Sequence, residues 1–424
     1  MSNTKLVVEK KYLLPFILVT SLFALWGFAN DLTNPMVAAF QTVMEISTKR
    51  ASLIQFAFYG GYATMAIPAA LFIRKFGYKK GILFGLALYA VGALLFYPAA
   101  QFEIFTFFLL SLYILTFGLA FLETTANPFI LSMGDPETAT RRLNLAQAFN
   151  PLGSITGMFI ATQVILKALA IDKIENFAAL DVAQKAVHRT HDLGIIKMPY
   201  ITLGFVVLAM FVIIALVKIP NGNKKKYESS AIDTFLRLIK NKSYVEGVVA
   251  QAFYVGAQIM CWTFIIHYGE NLGLSKAQSQ NYNIVAMAIF IGSRFISTFL
   301  MKFVNSRKLL TIFAFGGIAT LTGVILIQGM AGMYLLVATS AFMSLMFPTI
   351  YGIALNGLGE DATLASAGLI LAIVGGAVMP PLQAAIIDVK TVAGLPGVNF
   401  SFILPLLCFI VIAIYGYRAQ RRLV

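Results

Sequence analysis

Two acidic side chains, Asp31 and Glu123, lie inside long runs of apolar residues. Glu123 falls within the run from Phe105 to Met133, and Asp31 within the first apolar segment of the chain. If these runs cross a membrane, each carboxylate is energetically costly there and marks a functional site by default. The two acids therefore predict a path for a proton or another cation, and we assign both to proton coupling.

The composition is that of a membrane protein. Hydrophobic residues make up 59% of the 424 residues and charged residues 12%, which is about half the charged fraction of a soluble domain. No small-residue cleavage site follows the first apolar run, so this run is interpreted as a span and not as a signal peptide. Runs of about 20 apolar residues can cross a bilayer. We predict twelve spans, at residues 12–38, 51–73, 81–100, 104–133, 143–168, 196–217, 243–268, 279–302, 308–328, 332–356, 362–387 and 398–417.

The positive charges are distributed unevenly between the two sides of the predicted membrane. With the N-terminus placed in the cytoplasm, about 22 of the 32 Lys and Arg residues lie on cytoplasmic segments and about 9 outside. An excess of positive charge inside sets the orientation of membrane proteins, so both termini are predicted to be cytoplasmic. The net charge of +14 then reflects topology and contact with anionic lipid, and no nucleic-acid partner is predicted.

A polar segment, residues 221–242, divides the predicted spans into six and six. Two basic connections, residues 74–80 and 302–308, occupy matching places between the second and third spans of each half. Two parallel six-span halves around a midplane site are typical of major facilitator superfamily carriers. We therefore predict an all-α membrane protein with twelve transmembrane helices in two six-helix bundles, residues 1–220 and 243–424, joined by a cytoplasmic linker, residues 221–242.

Polar residues recur at helical spacing within several spans. They should face the interior of the bundle, because lipid cannot satisfy their hydrogen bonds. Span two carries such a stripe in Gln55, Tyr59 and Tyr62. Amides and carboxylates can both donate to and accept from sugar hydroxyls, and an indole can stack on the apolar face of a pyranose. The predicted substrate-binding residues are Trp26, Asn30, Asp31, Asn34, Asn127, Gln147, Asn150, Tyr254, Gln258 and Trp262.

This set favours a sugar over other classes of substrate. A drug exporter more often has a cavity lined by aromatic and Met side chains, and an organic-anion carrier needs more cations in its spans than Arg294 alone. We expect Arg294 to be tied to a backbone carbonyl or to an acid on another span. For Trp26 and Trp262, stacking on a sugar and plain packing between helices fit the sequence equally well.

Two features of the backbone are also predicted. Three Asn-Pro pairs, at 34–35, 127–128 and 150–151, can bend their helices, because proline removes a backbone donor. The long outer loop at residues 168–197 should carry a short amphipathic surface helix near residues 177–187. The loop histidines His188 and His191 are interpreted as solvated side chains, although a pH sensor is an alternative.

Several segments resemble one family, the fucose permeases of the major facilitator superfamily. The segments Leu122–Phe129 and Arg142–Asn150 carry most of the resemblance, and Tyr254–Gln258 and Ser340–Ser344 extend it into the second half. The resemblance implies proton-coupled symport of a monosaccharide by rocking of the two halves. L-Fucose is the first choice of sugar. The alternatives are glucose or galactose, and N-acetylglucosamine.

The resemblance also assigns roles to single residues. Glu123 falls on the span-four glutamate that takes up the proton in the family, and Gln147 and Asn150 fall on residues of the pocket. The second acid of the family stands at the position of Asn34, whereas the position of Asp31 holds an asparagine there. This exchange moves the carboxylate by about 5 Å along the helix and leaves the identity of the sugar open.

Three other functions are alternatives to proton symport. Sodium coupling would use Asp31, Asn34 and carbonyls near Pro35 as oxygen ligands. A sugar sensor would need a signalling domain, which the short termini do not supply. An enzyme is disfavoured because the sequence shows neither a paired-histidine metal site nor a Gly-x-Ser-x-Gly elbow. No cofactor or metal is expected, and the predicted setting is a monomer in the bacterial inner membrane.

Overall fold

The chain is almost entirely helical in the computed structural model, which describes residues 6–33, 36–51, 53–170, 180–219, 230–389 and 391–422. Helices satisfy every interior backbone group within one segment, as hydrocarbon surroundings require. Two short strands of the described part, β1 (Thr391–Val392) and β2 (Leu395–Pro396), pair in antiparallel fashion.

The described residues of the first half contain ten α-helices. Their bounds are α1 Leu13–Thr33, α2 Met36–Val43, α3 Thr48–Ala51, α4 Leu53–Phe76, α5 Tyr78–Leu94, α6 Phe96–Phe102, α7 Phe105–Ser132, α8 Ala139–Gln147, α9 Asn150–Phe159 and α10 Val182–Leu216.

The second half begins with a short helix in the predicted linker. Its helices are α11 Ala231–Lys240, α12 Lys242–Asn271, α13 Lys276–Leu300, α14 Ser306–Leu326, α15 Met330–Met343, α16 Met346–Leu355, α17 Ala362–Leu371, α18 Gly375–Ile387, α19 Gly397–Ser401 and α20 Ile403–Arg421. The linker predicted from its polarity therefore contains the helix α11, while residues 221–229 lie outside the described residues.

Eleven helical segments of the described residues are long and apolar enough to cross a membrane, and they coincide with eleven of the predicted spans. The remaining span, residues 143–168, is interrupted. Helix α8 ends at Gln147, α9 begins at Asn150, and π-helical and 3-10 turns complete the segment from Ile160 to Ala168. Pro151 lies in the first turn of α9, where its missing N–H costs no hydrogen bond.

The Asn-Pro pair of span four does not interrupt its helix. Pro128 lies inside α7, which continues to Ser132. The side-chain amide of Asn127 donates to the carbonyl oxygen of Glu123 at 2.9 Å, which adds a hydrogen bond next to the donor that Pro128 lacks. Asn34 and Pro35 lie outside the described residues, between the end of α1 and the start of α2.

The outer loop between spans five and six differs from the prediction. The amphipathic residues from Val182 onward are helical, but they form the beginning of the 35-residue helix α10 and not a separate surface helix. Asp181 and Gln184 form a reciprocal capping box that fixes this early start. The predicted residues 177–179 lie outside the described residues.

Contacts between residues divide the chain into two compact units. One comprises residues 12–129 and 149–225, and the other residues 1–11, 130–148 and 226–424. The end of span four and the start of span five thus pack with the second half of the sequence. The predicted bundle boundaries at 220 and 243 remain a prediction.

Arg142 holds together one corner of the second unit. Its fully buried guanidinium donates to the carbonyl oxygens of Ile130 at 2.7 Å, Leu131 at 2.5 Å and Val7 at 2.9 Å. The first two carbonyls belong to the last turn of α7, where a cation is electrostatically favourable. A side chain at Gly134 would collide with this guanidinium, since a Cβ there would lie 2.9 Å from Nη1.

Replacing Arg142 by Ala is expected to lower the free energy of unfolding by about 3 kcal/mol, because several hydrogen bonds to a charged group are lost at once. The measurement is the fraction of monodisperse protein that remains after heating in detergent. Arg141→Ala is the matched control, since Arg141 is partly exposed and makes one bond of 3.3 Å to the Thr298 carbonyl. Equal losses in the two variants would contradict the proposed role of Arg142.

Candidate functional site

Glu123 is hydrogen-bonded to a tyrosine of the neighbouring span. The hydroxyl group of Tyr62, on α4, donates to Oε1 of Glu123, on α7, at 2.7 Å. Tyr62 is 4% exposed, and Glu123 is partly buried. A phenol can donate to a carboxylate and accept from a carboxylic acid, so the pair can remain bonded in both protonation states.

A glycine next to Tyr62 allows the two helices to approach each other. A Cβ at Gly61 would lie 2.7 Å from the Cβ atom of Thr116 on α7, closer than side-chain carbons can pack. The absence of a side chain at this point lets α4 and α7 approach closely, as small residues do between membrane helices. The contact between Tyr62 and Glu123 therefore depends on Gly61.

The other predicted acid, Asp31, interacts with a second tyrosine of helix α4. It lies near the end of α1, is half-buried, and interacts electrostatically with Tyr59. Tyr59 and Tyr62 are three residues apart on α4 and therefore share a face. Helix α4 thus presents one tyrosine to each of the two predicted proton-coupling acids.

Asn150 reaches span one from the start of α9. Its side-chain amide donates to the carbonyl oxygen of Phe23 at 3.1 Å. The two helices touch backbone to backbone, since a Cβ at Gly27 would lie 2.0 Å from the carbonyl oxygen of Asn150, and one at Gly153 would lie 1.8 Å from that of Ala24. Asn150 is half-buried and lies against the same span as Asp31.

The other predicted residues of this unit have varied surroundings. Trp26 is 2% exposed, packs edge-on against Phe23 with ring centroids 4.3 Å apart, and its indole N–H has no acceptor among the described residues. Asn30 is half-buried. Asn127 is buried and bonded to the Glu123 carbonyl, and Asn34 lies outside the described residues.

In the second unit, two predicted site residues of span seven form hydrogen bonds with span ten. The Tyr254 hydroxyl donates to the carbonyl oxygen of Met343 at 3.1 Å, and the indole N–H of Trp262 to Oγ of Ser340 at 3.2 Å. Tyr254 is fully buried, whereas Trp262 and Gln258 are half-buried. Helix α15 therefore fixes the tyrosine and the tryptophan, and the amide of Gln258 is the more available group for a ligand.

Arg294 is bonded to two backbone carbonyls, as its sequence position predicted. Its Nη1 donates to the carbonyl oxygen of Gln147 at 3.0 Å, and its Nε donates to that of Ser344. The guanidinium also lies 4.6 Å from the ring of Phe290. The bond to Gln147 fixes the end of α8, where the side chain of Gln147 is a predicted sugar contact.

The structure thus assembles the predicted residues as two sets. Trp26, Asn30, Asp31, Glu123, Asn127 and Asn150 belong to the first unit, and Gln147, Tyr254, Gln258 and Trp262 to the second. The sequence predicts the two tyrosines of α4 as part of a polar stripe, but it does not indicate that they contact the acids. Their signal is the spacing of three residues within an otherwise apolar span.

Comparison with known proteins places the whole chain in one family. Residues 17–380 match the model of the Major Facilitator Superfamily. The L-fucose-proton symporter of Haemophilus influenzae is 64% identical over 421 residues, which cover 98% of each chain. The glucose/galactose transporter of Brucella abortus biovar 1 (strain 9-941) is 31% identical over 98% of this chain and 96% of that one.

A solved structure agrees with these matches. The crystal structure of the transporter FucP in the outward conformation superposes with a TM-score of 0.88 at 33% identity, covering 97% of this chain and 99% of that chain. The fold predicted from the spans and the family indicated by the sequence segments are both confirmed. The chain belongs to the fucose permease family of the major facilitator superfamily.

Proposed function

We propose that this protein carries L-fucose together with a proton into the cell across the bacterial inner membrane. The observation that carries the proposal is the carboxyl group of Glu123, which lies within an apolar span and is hydrogen-bonded to Tyr62. This group occurs in a chain that is 64% identical to a protein named as an L-fucose-proton symporter. A lone carboxyl group at bilayer depth is suited to carrying one proton.

Protonation of Glu123 is the proposed coupling step. A proton from outside neutralises Glu123, and the Tyr62 hydroxyl group then changes from donor to acceptor. The neutral pair no longer opposes the exclusion of water, so the protein can occlude the sugar. Sugar and proton are coupled because each favours the state that carries both.

The sugar is proposed to bind beside this pair. The half-buried Asp31 on span one and the half-buried Asn150 on span five supply an acceptor and an amide for its hydroxyl groups. Gln147, Gln258 and the ring of Trp262 are the proposed contacts from the second unit. In this arrangement Glu123 carries the proton and Asp31 recognises the sugar.

Release is proposed to require the breaking of three hydrogen bonds. They join residues 141–147, around the start of span five, to spans eight and ten. Arg294 donates to the Gln147 carbonyl at 3.0 Å. Asn144 donates to Oγ1 of Thr349 at 3.1 Å, and Arg141 donates to the Thr298 carbonyl at 3.3 Å. On the proposed topology they lie toward the cytoplasm, and we infer that they close the exit until sugar and proton are bound.

We also propose that both termini are cytoplasmic and that the protein transports as a monomer. The excess of Lys and Arg on the predicted inner segments supports the orientation. The proposed proton-carrying pair, Glu123 and Tyr62, comes from one chain, so a second copy is not needed for proton coupling.

Glucose or galactose is the second candidate substrate. The Brucella abortus relative, named as a glucose/galactose transporter, matches over 98% of this chain. The acid of span one, Asp31, also stands at a different position from the second acid of the fucose permeases, and this difference is compatible with a sugar other than fucose. The two candidates share the same proton-coupled mechanism.

Replacing Glu123 by Gln is expected to uncouple transport from the proton. With one proton per sugar, a gradient of one pH unit supports about tenfold accumulation of labelled L-fucose in proteoliposomes. The variant should fall to a ratio of about one at the same gradient, because the amide carries no proton. Exchange of labelled for unlabelled L-fucose should continue, which shows that the variant is folded and binds sugar.

Tyr62→Phe is the matched control for this experiment. It removes the hydrogen bond to Glu123 and leaves the carboxyl group in place, so gradient-driven accumulation should persist at a reduced rate. If Glu123→Gln still accumulates L-fucose under a pH gradient, Glu123 is not on the proton path. If accumulation follows an imposed sodium gradient instead, the coupling ion is sodium.

Replacing Asp31 by Asn is expected to weaken sugar binding without uncoupling transport. Loss of a charge-assisted hydrogen bond costs about 1.5–3 kcal/mol, which raises the KM for L-fucose by roughly ten- to a hundredfold. At saturating sugar the accumulation ratio should remain that of the unaltered protein. D-Glucose, D-galactose and N-acetylglucosamine serve as competing sugars. A ratio near one at saturation would instead make Asp31 a second titrating group.

A further inference from the structure

The linker helix α11 has three distinct faces. Ile232, Phe235, Leu236 and Ile239 lie at the spacing i, i+3, i+4 and i+7 and are 50–73% exposed. This spacing places them on one side of a helix. Thr234 and Leu238 form a second face and are 1% and 3% exposed. The third face carries Asp233, Arg237 and Lys240.

The second and third faces attach α11 to the rest of its unit. Thr234 and Leu238 are covered where α11 packs on α12 and α17. The guanidinium of Arg237 forms two hydrogen bonds with the carboxylate of Asp361, at 2.7 and 3.0 Å. This forked pair fixes the rotation of the helix about its axis, so the apolar face has a defined direction.

The position of α11 in the chain places it at the edge of the membrane. One residue, Asn241, separates it from span seven, whose first turn begins with the exposed Lys242. Asn241 ends α11 and caps α12 through its side chain, which accepts from the N–H of Tyr244 at 3.1 Å. A charged residue at the start of a span marks the lipid-water boundary, so α11 lies at the depth of the headgroups.

The charge around α11 is complementary to an anionic lipid surface. The linker contains Lys224, Lys225, Lys226, Lys240 and Lys242, and basic residues next to a span bind acidic headgroups. A helix with one strongly apolar face and flanking lysines typically lies in the membrane interface. We propose that α11 is an interfacial helix whose face Ile232, Phe235, Leu236 and Ile239 inserts into the bilayer surface.

The proposed insertion gives the linker a mechanical role. Because α11 is bound to α12 and α17 on one side and to lipid on another, it holds these helices of its unit at a fixed depth in the bilayer. This role concerns the membrane surface and does not depend on which sugar is carried.

Site-directed spin labelling tests the insertion directly. The chain has two cysteines, Cys261 and Cys408, and both are buried, so a cysteine-free background requires two substitutions. Ile232→Cys and Ile239→Cys report on the apolar face, and Asp233→Cys and Lys240→Cys are matched controls on the charged face. The labelled protein is reconstituted into phosphatidylcholine vesicles containing phosphatidylglycerol. Collision with oxygen, which enters lipid, is compared with collision with a water-soluble nickel complex.

The expected result is a several-fold higher ratio of oxygen to nickel collisions at positions 232 and 239 than at positions 233 and 240. Equal, high nickel accessibility at all four positions would show that the apolar face is in water and would overturn the proposal. Protection of positions 232 and 239 from both reagents would also overturn it, because a second copy or another protein would then cover the face.

A second measurement leaves both cysteines in place. Phe235→Trp and Lys240→Trp each add one indole, on the apolar and the charged face respectively. Lipids brominated on the acyl chain should quench the added emission of Phe235→Trp by at least half and leave that of Lys240→Trp nearly unchanged. Equal quenching of the two variants would contradict insertion of the apolar face.

Discussion

Hydrocarbon offers no hydrogen-bond partner, and this constraint determines where the charged groups within the spans of this protein can lie. Glu123 is bonded to the hydroxyl group of Tyr62, and Arg294 to the carbonyl oxygens of Gln147 and Ser344. Each bond joins different spans, so satisfying one polar group also decides which helices are neighbours. In a soluble protein, water could satisfy the same side chains and would leave the arrangement of helices free.

Small residues make these bonds geometrically possible. Lipid tails are as apolar as the helix surfaces, so helices associate through close packing and not through a hydrophobic force. Gly61 brings α4 to α7 at the level of Tyr62, and Gly27 and Gly153 bring α1 to α9 at the level of Asn150. The glycines thus support the arrangement of the candidate site. A methyl group at any of them would collide with the facing helix.

The sequence predicted the features that depend on local periodicity. Span positions follow from the length of apolar runs, so eleven of the predicted spans agree with the structure. Partners between spans were not predictable, because they depend on which helices are adjacent. The bond of Tyr62 to Glu123 and that of Arg294 to Gln147 are of this kind.

One local feature was missed for a different reason. The break before Asn150 agrees with the bend that the Asn-Pro pair predicted, but the helix α11 has fewer residues than a span, and averages over about 20 residues conceal it. The apolar spacing from Ile232 to Ile239 is visible in the sequence at the scale of ten residues. Averaged over the whole linker, the hydropathy is that of a polar segment, because its lysines lower the mean more than these four apolar side chains raise it.

The arrangement of tyrosines on α4 explains why the position of the acid in span one matters. Tyr59 and Tyr62 are three residues apart, which corresponds to about 4.5 Å along the helix, and they face Asp31 and Glu123 respectively. In the family that the sequence resembles, the second acid stands three residues later in the sequence, at the position of Asn34, and this spacing corresponds to the same distance along a helix. The exchange keeps the number of carboxylates the same, but under the proposed function a sugar would meet its acceptor at a different level. The proposed proton-carrying pair, Glu123 and Tyr62, lies on spans four and two and includes neither position. Under the proposed function, coupling and sugar recognition can therefore change independently of each other.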